Sequence, residues 1–310
     1  MGAAAQYKAI SSQAVIAMMM SRLDTGSTSW VDECAMKVSS NEASEDYGWL
    51  GAVPAMSEFV NSRSPAEIKE YSFSLANKDF DNSITFKKKD MRRDKTGMIR
   101  LRVNDLVSRA EDLPASLISK LIMNGASSPC YDGQYFFDTD HPTKGGVQSN
   151  SISVTAATGT SPTVSEFEDA VLKAIEAILG FKDEHGEPIN QSASQFTIQV
   201  PIAMMGAALK AVNAVLGEGG KSAVLPSLQG EFQIKIVPNA RLTWSDSFVL
   251  YRTDSEVKPF IIQEEEPIEP WAIGDGTEHE VKEKEHLYGV DWAGNVGYGQ
   301  WSGAVKVTFT

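Results

Sequence analysis

The chain has 310 residues, 42% of them hydrophobic and 22% charged, which predicts two modest buried cores and excludes a disordered polyampholyte. Its formal net charge of −13 argues against a general nucleic-acid binder, whose affinity rests on Lys and Arg displacing phosphate counterions. Two widely separated cysteines, Cys34 and Cys130, exclude a disulfide framework or a Cys-rich zinc module and leave reduced thiols as the default.

From the N-terminus, Ile10, Val15, Ile16, Met19 and Met20 fit a short amphipathic helix over Ala9 to Leu23, with "DTGSTSW" breaking it. Its apolar run is too short to span a bilayer, and no leader or anchor is expected. Residues to about 65 lack periodicity and read as a weakly structured segment that gains stability by lying on something else.

Tyr71, Phe73 and Leu75, then Ile84 and Phe86, alternate as strands do, and "NKDFDN" between them supplies turn residues. Glu70 to Gly97 therefore reads as a two-stranded excursion, marginal in water unless it packs on a partner. Its end carries Lys87, Lys88, Lys89, Arg92, Arg93 and Lys95, broken by Asp90 and Asp94. This basic run is either a solvated strand face or a docking surface for an acidic neighbour. Nucleic acid ranks third, since no aromatic residue interleaves the cations as a base-stacking surface requires.

Met98 to Asn124 repeats apolar residues at helical spacing up to Gly125, with Pro114 set to kink or restart the helix. A second helix opens at "SEFE", where Ser165 and Glu168 match a capping box, and runs to Gly180. "FTIQV" reads as a strand, Pro201 starts a third helix, and "EFQIKIV" and "SFVLYR" read as further strands, so residues 151 to 262 form an α+β unit. In the tail, Ala293 to Asn295 reads as a hairpin turn, followed by a last strand with Val305, Val307 and Phe309 on one face.

Chemistry is sparse. "CYDGQYFFDTDHP" gathers Cys130, Asp132, Asp138, Asp140 and His141, and a metal reading would use Asp138, Asp140 and His141. Against it stand the Asp-Gly turn signal, an apolar "QYFF" strand, and a single His with no zinc spacing, which favour side chains pinning loops and Cys130 as a small buried residue. "GEGGKS" lacks the phosphate-loop spacing, no nucleophile elbow occurs, and His185, His279 and His286 sit in charged stretches that read as solvated. Glu264, Glu265 and Glu266 read as a solvated loop or as the docking partner of a basic patch.

Four stretches in order carry a resemblance. "YGWLGAVPAMSEFV" (Tyr47 to Val60), "NKDFDNSI" (Asn77 to Ile84), "CYDGQYFFDTDHP" with Ser149 and Asn150, and "YGVDWAGNVGYGQW" (Tyr288 to Trp301) resemble the major head subunit of Mu-like tailed phages. The resemblance implies an α+β subunit of the Hong Kong 97 type. It divides into an N-terminal arm (1–65), an extended loop (66–97), a peripheral domain with a long spine helix (98–150), an axial domain (151–270) and peripheral return strands (271–310). It implies self-assembly as hexamers and pentamers into an icosahedral shell around double-stranded DNA, without cofactor, catalysis, membrane or sequence-specific DNA binding. Portal, scaffold or decoration proteins are possible partners, with assembly in the bacterial cytoplasm and residence in the virion. The family tends to be acidic where this chain has "KKKDMRRDK", so Lys87, Lys88, Lys89, Arg92 and Arg93 are expected to meet acidic residues of an adjacent subunit, such as Glu42, Glu45 and Asp46 or Glu264 to Glu266. Asp132, Asp138, Asp140 and His141 are expected to pin loops. The alternatives are an encapsulin-type compartment and, in another class, a metal-dependent hydrolase.

Overall fold

The computed structural model describes residues 12–23, 30–47, 73–93, 97–143, 146–183, 185–213 and 231–310. Its elements in chain order are α1 (Ser12–Leu23), α2 (Trp30–Cys34), β1 (Ala35–Ser39), β2 (Ser44–Asp46), β3 (Ser74–Ala76), β4 (Lys78–Lys87), α3 (Lys88–Arg93), α4 (Met98–Glu111) and α5 (Leu113–Asn124). There follow β5 (His141–Thr143), β6 (Gly146–Gln148), β7 (Ser151–Val154), α6 (Val164–Gly180), β8 (Gln195–Val200), α7 (Met205–Asn213), β9 (Gln233–Pro238) and β10 (Ser247–Arg252). The chain continues through β11 (Phe260–Ile273), α8 (Glu278–Glu283), β12 (Glu285–Tyr298) and β13 (Ala304–Phe309). No described helix is long and apolar enough to cross a membrane.

Two sheets organise these elements. One has the order β1-β11-β12-β4, with β1 parallel to β11 and the other neighbours antiparallel. The other has the order β7-β13-β10-β8-β9, in which the late strand β13 lies between β7 and β10. Strands β2 and β3 pair in a separate ribbon, as do β5 and β6.

The larger core joins α5, α6, α7 and the five-stranded sheet, and reaches Phe260, Ile262, Trp292 and Val296 of the other sheet. A second core seats Val15 and Met19 of α1 and Ile99, Val103, Leu106 and Val107 of α4 against Tyr288 and Val290 of β12. Burial at about 25 cal/mol per Å² of apolar surface is the main force holding each helix to its sheet.

Several expectations hold. The 98–124 helix restarts where predicted, with Asp112 between α4 and α5 and Pro114 in the first turn of α5, where its missing N–H costs nothing. Val305, Val307 and Phe309 are buried on one face of β13. The expected helix start at Ala9, the break at residues 24–29, the stretch 48–60 and "GEGGKS" lie outside the described residues.

Others are corrected. The two-stranded excursion is not a hairpin: β3 pairs with β2, while "NKDFDN" continues into β4, whose partner is β12. Its turn-forming residues are polar because they lie on a solvent-facing ladder. The turn at Ala293–Asn295 is also absent, since β12 runs straight through it. Gly294 serves close approach instead: a Cβ there would lie 2.3 Å from the Gln263 carbonyl oxygen on β11.

The capping box of α6 is Thr163 with Glu166, one turn-residue pair earlier than "SEFE", and Glu168 is buried on the helix's inner side. The segment before residue 65 contains α2, β1 and β2, because β1 gains its hydrogen bonds from β11, far along the chain. "QYFF" forms only an isolated bridge, Pro129 to Tyr135, before Phe136 and Phe137 turn into the core.

Candidate functional site

The loop from Cys130 to His141 is tied around one buried carboxylate. Asp132 precedes Gly133, whose φ of 90° is the left-handed turn geometry that glycine tolerates. Asp132 Oδ1 accepts hydrogen bonds from the Gln134 amide at 3.1 Å and the Cys130 thiol at 3.0 Å, and Oδ2 lies 2.7 Å from His141 Nδ1. His141 is fully buried and stacked on Trp301, with centroids 4.0 Å apart and planes within 8°.

Its other nitrogen, Nε2, is 3.2 Å from Asn150 Oδ1, which also accepts the Asp138 amide at 2.9 Å. Asn150 Nδ2 donates to the carbonyls of Phe136 and Trp301. Both ring nitrogens of His141 thus lie within hydrogen-bonding distance of side-chain oxygens, Asp132 Oδ2 and Asn150 Oδ1.

Burial works to raise the Asp132 carboxyl, but hydrogen bonds from His141 and Cys130, the charge of His141 and the Gln134 amide outweigh it and leave it below the ordinary range. Burial and the adjacent carboxylate push the Cys130 thiol up, so it stays a protonated donor.

The expected metal trio is not assembled. Asp138 spends its carboxylate on the Tyr135 and Thr139 amides, and Asp140 is exposed, its carboxyl raised by desolvation and by Asp138 beside it. The residues that do converge are Cys130, Asp132 and His141, whose ligand atoms lie within 4.8 Å of one another. They already hydrogen-bond to each other, so a cation between them would have to break those bonds.

A second node was not legible. His286, expected to be solvated, is buried, with Nε2 3.2 Å from Glu280 Oε1 and Nδ1 3.3 Å from the Tyr288 hydroxyl. Glu280 Oε1 also pairs with Lys88, and Oε2 accepts the Gly276 amide at 2.7 Å. The hydrogen bond from Lys88, the Gly276 amide and the His286 ring hold the Glu280 carboxyl down at about 2 against the desolvation that opposes them. This cluster includes Asp275 as a third potential ligand, but the Lys88 ammonium already supplies the cation. The signal that could have found it is the capping pattern "TEHE", in which Thr277 Oγ1 accepts the Glu280 amide.

The charged residues expected at subunit contacts are dispersed. Lys87 ends β4 opposite Glu285, Lys89 and Arg93 are exposed on α3, Arg92 falls in α3, and Lys88 is committed to Glu280 of its own chain. Glu45 Oε1 accepts from the Ser40 hydroxyl and the Asn41 amide, the Glu42 carbonyl accepts from Ser40 and Asn77, and Asp46 is exposed on β2. Glu264 accepts from Trp292 Nε1 at 3.3 Å, while Glu265 and Glu266 are exposed on β11, a sheet strand where a loop had been expected.

The same arrangement of helices and sheets occurs in solved shells. The chain is similar to a chain of the procapsid of bacteriophage JBD30 (TM-score 0.56, 21% identity, covering 95% of this chain and 72% of that one). It is also similar to the bacteriophage PhiM1 mature capsid (TM-score 0.57, 13% identity, 92% and 88%) and to a virus-like particle from Pyrococcus furiosus (TM-score 0.53, 8% identity, 95% and 98%). The fold is therefore that of the Hong Kong 97-type capsid subunits.

Within that class, residues 13–166 and 226–309 match the family model of the Mu-like prophage major head subunit gpT, and the chain belongs to that family. It is 36% identical over 111 residues to the major capsid protein of Escherichia phage Mu, a stretch of 36% of each chain. It is 34% identical over 135 residues to the Mu-like prophage FluMu major head subunit of Haemophilus influenzae, 43% of this chain and 44% of that one. The matched stretches thus span less than half of either relative.

Proposed function

We propose that this chain is the repeating subunit of an icosahedral phage head shell that encloses double-stranded DNA, with a structural and non-catalytic role. The observation that carries this reading is the family match across residues 13–166 and 226–309. The likeness of its fold to chains of closed capsids supports it. Its main partner is then itself, in hexamers and pentamers, with portal, scaffold or decoration proteins alongside. The shell assembles in the bacterial cytoplasm and ends in the virion.

In the same reading, residues 1–65 are an arm, 66–97 an extended loop, 98–150 with 271–310 a peripheral domain, and 151–270 an axial domain. The continuous α4–α5 rod supports a spine in the peripheral part, and α6 and α7 against β8–β10 support a separate axial layer. Because β4 pairs with β12 of its own chain, residues 78–87 would meet a neighbour as the edge of that sheet and not as a free loop.

Size-exclusion chromatography with light scattering and electron microscopy tests the proposal. Megadalton closed particles are expected, and a 33.7 kDa monomer under all native conditions would overturn it. A shell of the same fold that holds protein cargo is the second reading. Nuclease-protected DNA in particles from infected or induced cells supports the first reading, and a co-purifying cargo protein the second.

A further inference from the structure

The four-stranded sheet has one face against α1 and α4; on its other face the β2–β3 ribbon covers the end around Ile261 and Gly297 with Tyr47, Phe73 and Leu75, and the end around Leu287 to Asp291 has no described helix or strand upon it. Along β12, Tyr288 and Val290 enter the core shared with α1 and α4, so Leu287, Gly289 and Asp291 face the other way. Strand register lays out that free end in rows: Ile273, Leu287 and Thr85; Trp271, Gly289 and Ser83; Glu269, Asp291 and Asp81; then Glu266, Ala293 and Asp79.

The third row sets three exposed carboxylates directly opposite one another on adjacent strands, about 4.8 Å apart by sheet geometry. Glu266 and Asp79 extend the charge into the next row. Like charges facing across strands are destabilising. None of the ion pairs formed among the described residues includes any of these five. The face therefore combines an apolar row with an acidic one, in which Trp271 Nε1 donates to Asp291 Oδ1 at 2.7 Å and cations from outside would relieve the remaining repulsion.

A surface of opposite character lies across the sheet. Helices α3 and α4 expose Lys89, Arg93, Arg100 and Arg102, the last paired with Asp105 at 3.9 Å, together with Leu101, which is 57% exposed. Because α1, α3 and α4 pack on the first face, a single chain cannot bring this surface to the free end of its own second face.

We infer that a second copy of the chain docks its α3–α4 corner on the free end of the second face of the β1-β11-β12-β4 sheet. Its arginines and lysines sit over Glu269, Asp291 and Asp81, and Leu101 rests against Ile273 and Leu287. Two different surfaces meet, so the contact is heterologous and propagates head to tail, closing into rings where the rotation allows. This rests on the shell-subunit reading and adds which faces meet.

The test uses the full chain at about 0.05 M and about 0.5 M salt, where screening differs severalfold in range. Asp81→Lys with Glu269→Lys is expected to cut the assembled fraction at least tenfold at low salt, as is Arg100→Glu with Arg102→Glu, and combining all four substitutions restores assembly. Asp81→Asn with Glu269→Gln separates docking from misfolding: the dissociated subunit melts at or above the wild-type temperature while assembly weakens. Wild-type assembly by either reversal pair at low salt, or no recovery in the combined variant, overturns the docking while leaving the shell reading intact. A wild-type chain that never assembles overturns both.

Discussion

At Asn150 one amide group serves four neighbours, taking the Asp138 amide and facing His141 Nε2 through Oδ1, and donating to Phe136 and Trp301 through Nδ2. Replacing it with Ala leaves several buried polar groups unpaired, each costing about 1–3 kcal/mol before relaxation. Asn150→Ala should therefore lower the unfolding free energy of the dissociated subunit by roughly 2–4 kcal/mol, read from urea denaturation. Asp132 contributes through a different term. Its carboxyl is held below the ordinary range in the folded chain, so its stabilisation is present at neutral pH and is lost as pH falls below about 3.9. Asp132→Asn should flatten that part of the acid-stability profile, read from urea denaturation at a series of acid pH values. The motif containing these residues was legible in the sequence. The partner Trp301 was not, because a stacked ring 160 positions downstream leaves no local trace.

Among the elements, α8 and α3 are joined through Glu280, which holds Lys88 and His286 at once. Its carboxyl sits at about 2 against an ordinary 4.5, so the tie stabilises the native state above pH about 4.5 and fades as pH falls toward 2. Hydrogen exchange should show the α3 and α8 amides losing protection in that window ahead of α6, and Glu280→Gln should abolish the difference. Glycines make a second, sharper test. Gly294→Ala drives a Cβ into the Gln263 backbone oxygen and should cost about 1–3 kcal/mol, while Gly180→Ala meets nothing within 4 Å at a helix end and should gain up to about 1 kcal/mol, both read as melting temperature. The same contrast explains what the sequence could convey. Helices α4, α5 and α6 and strands β8 to β10 declare themselves because their apolar periodicity is local. Strand β1 does not, and β4 does so only in its second half through Ile84 and Phe86, because pairing with β11 and β12 decides their state and a polar stretch such as "NKDFDN" looks the same in a turn and on an outer ladder.

For the molecule as a whole, the distribution of cover matters more than the total buried. Each sheet has its helices, yet the uncovered end of the β1-β11-β12-β4 sheet's second face keeps its carboxylates in register with no ion-pair partner among the described residues. A subunit built this way is stable enough to exist and better satisfied in company, and the salt dependence of assembly is where that difference is measured. The threading of the chain has a further effect. Strand β13, with Val305 and Val307 fully buried, lies between β7 and β10, and β1 and β4 likewise wait for β11 and β12. A version ending at Gln300 should therefore be degraded rapidly in limited proteolysis, because the five-stranded sheet is left split. During translation the same order acts as a timer. A nascent chain that has emerged through β10 still lacks the strands that complete either sheet, so neighbouring chains on one messenger cannot engage each other's finished surfaces until nearly all of each has been made.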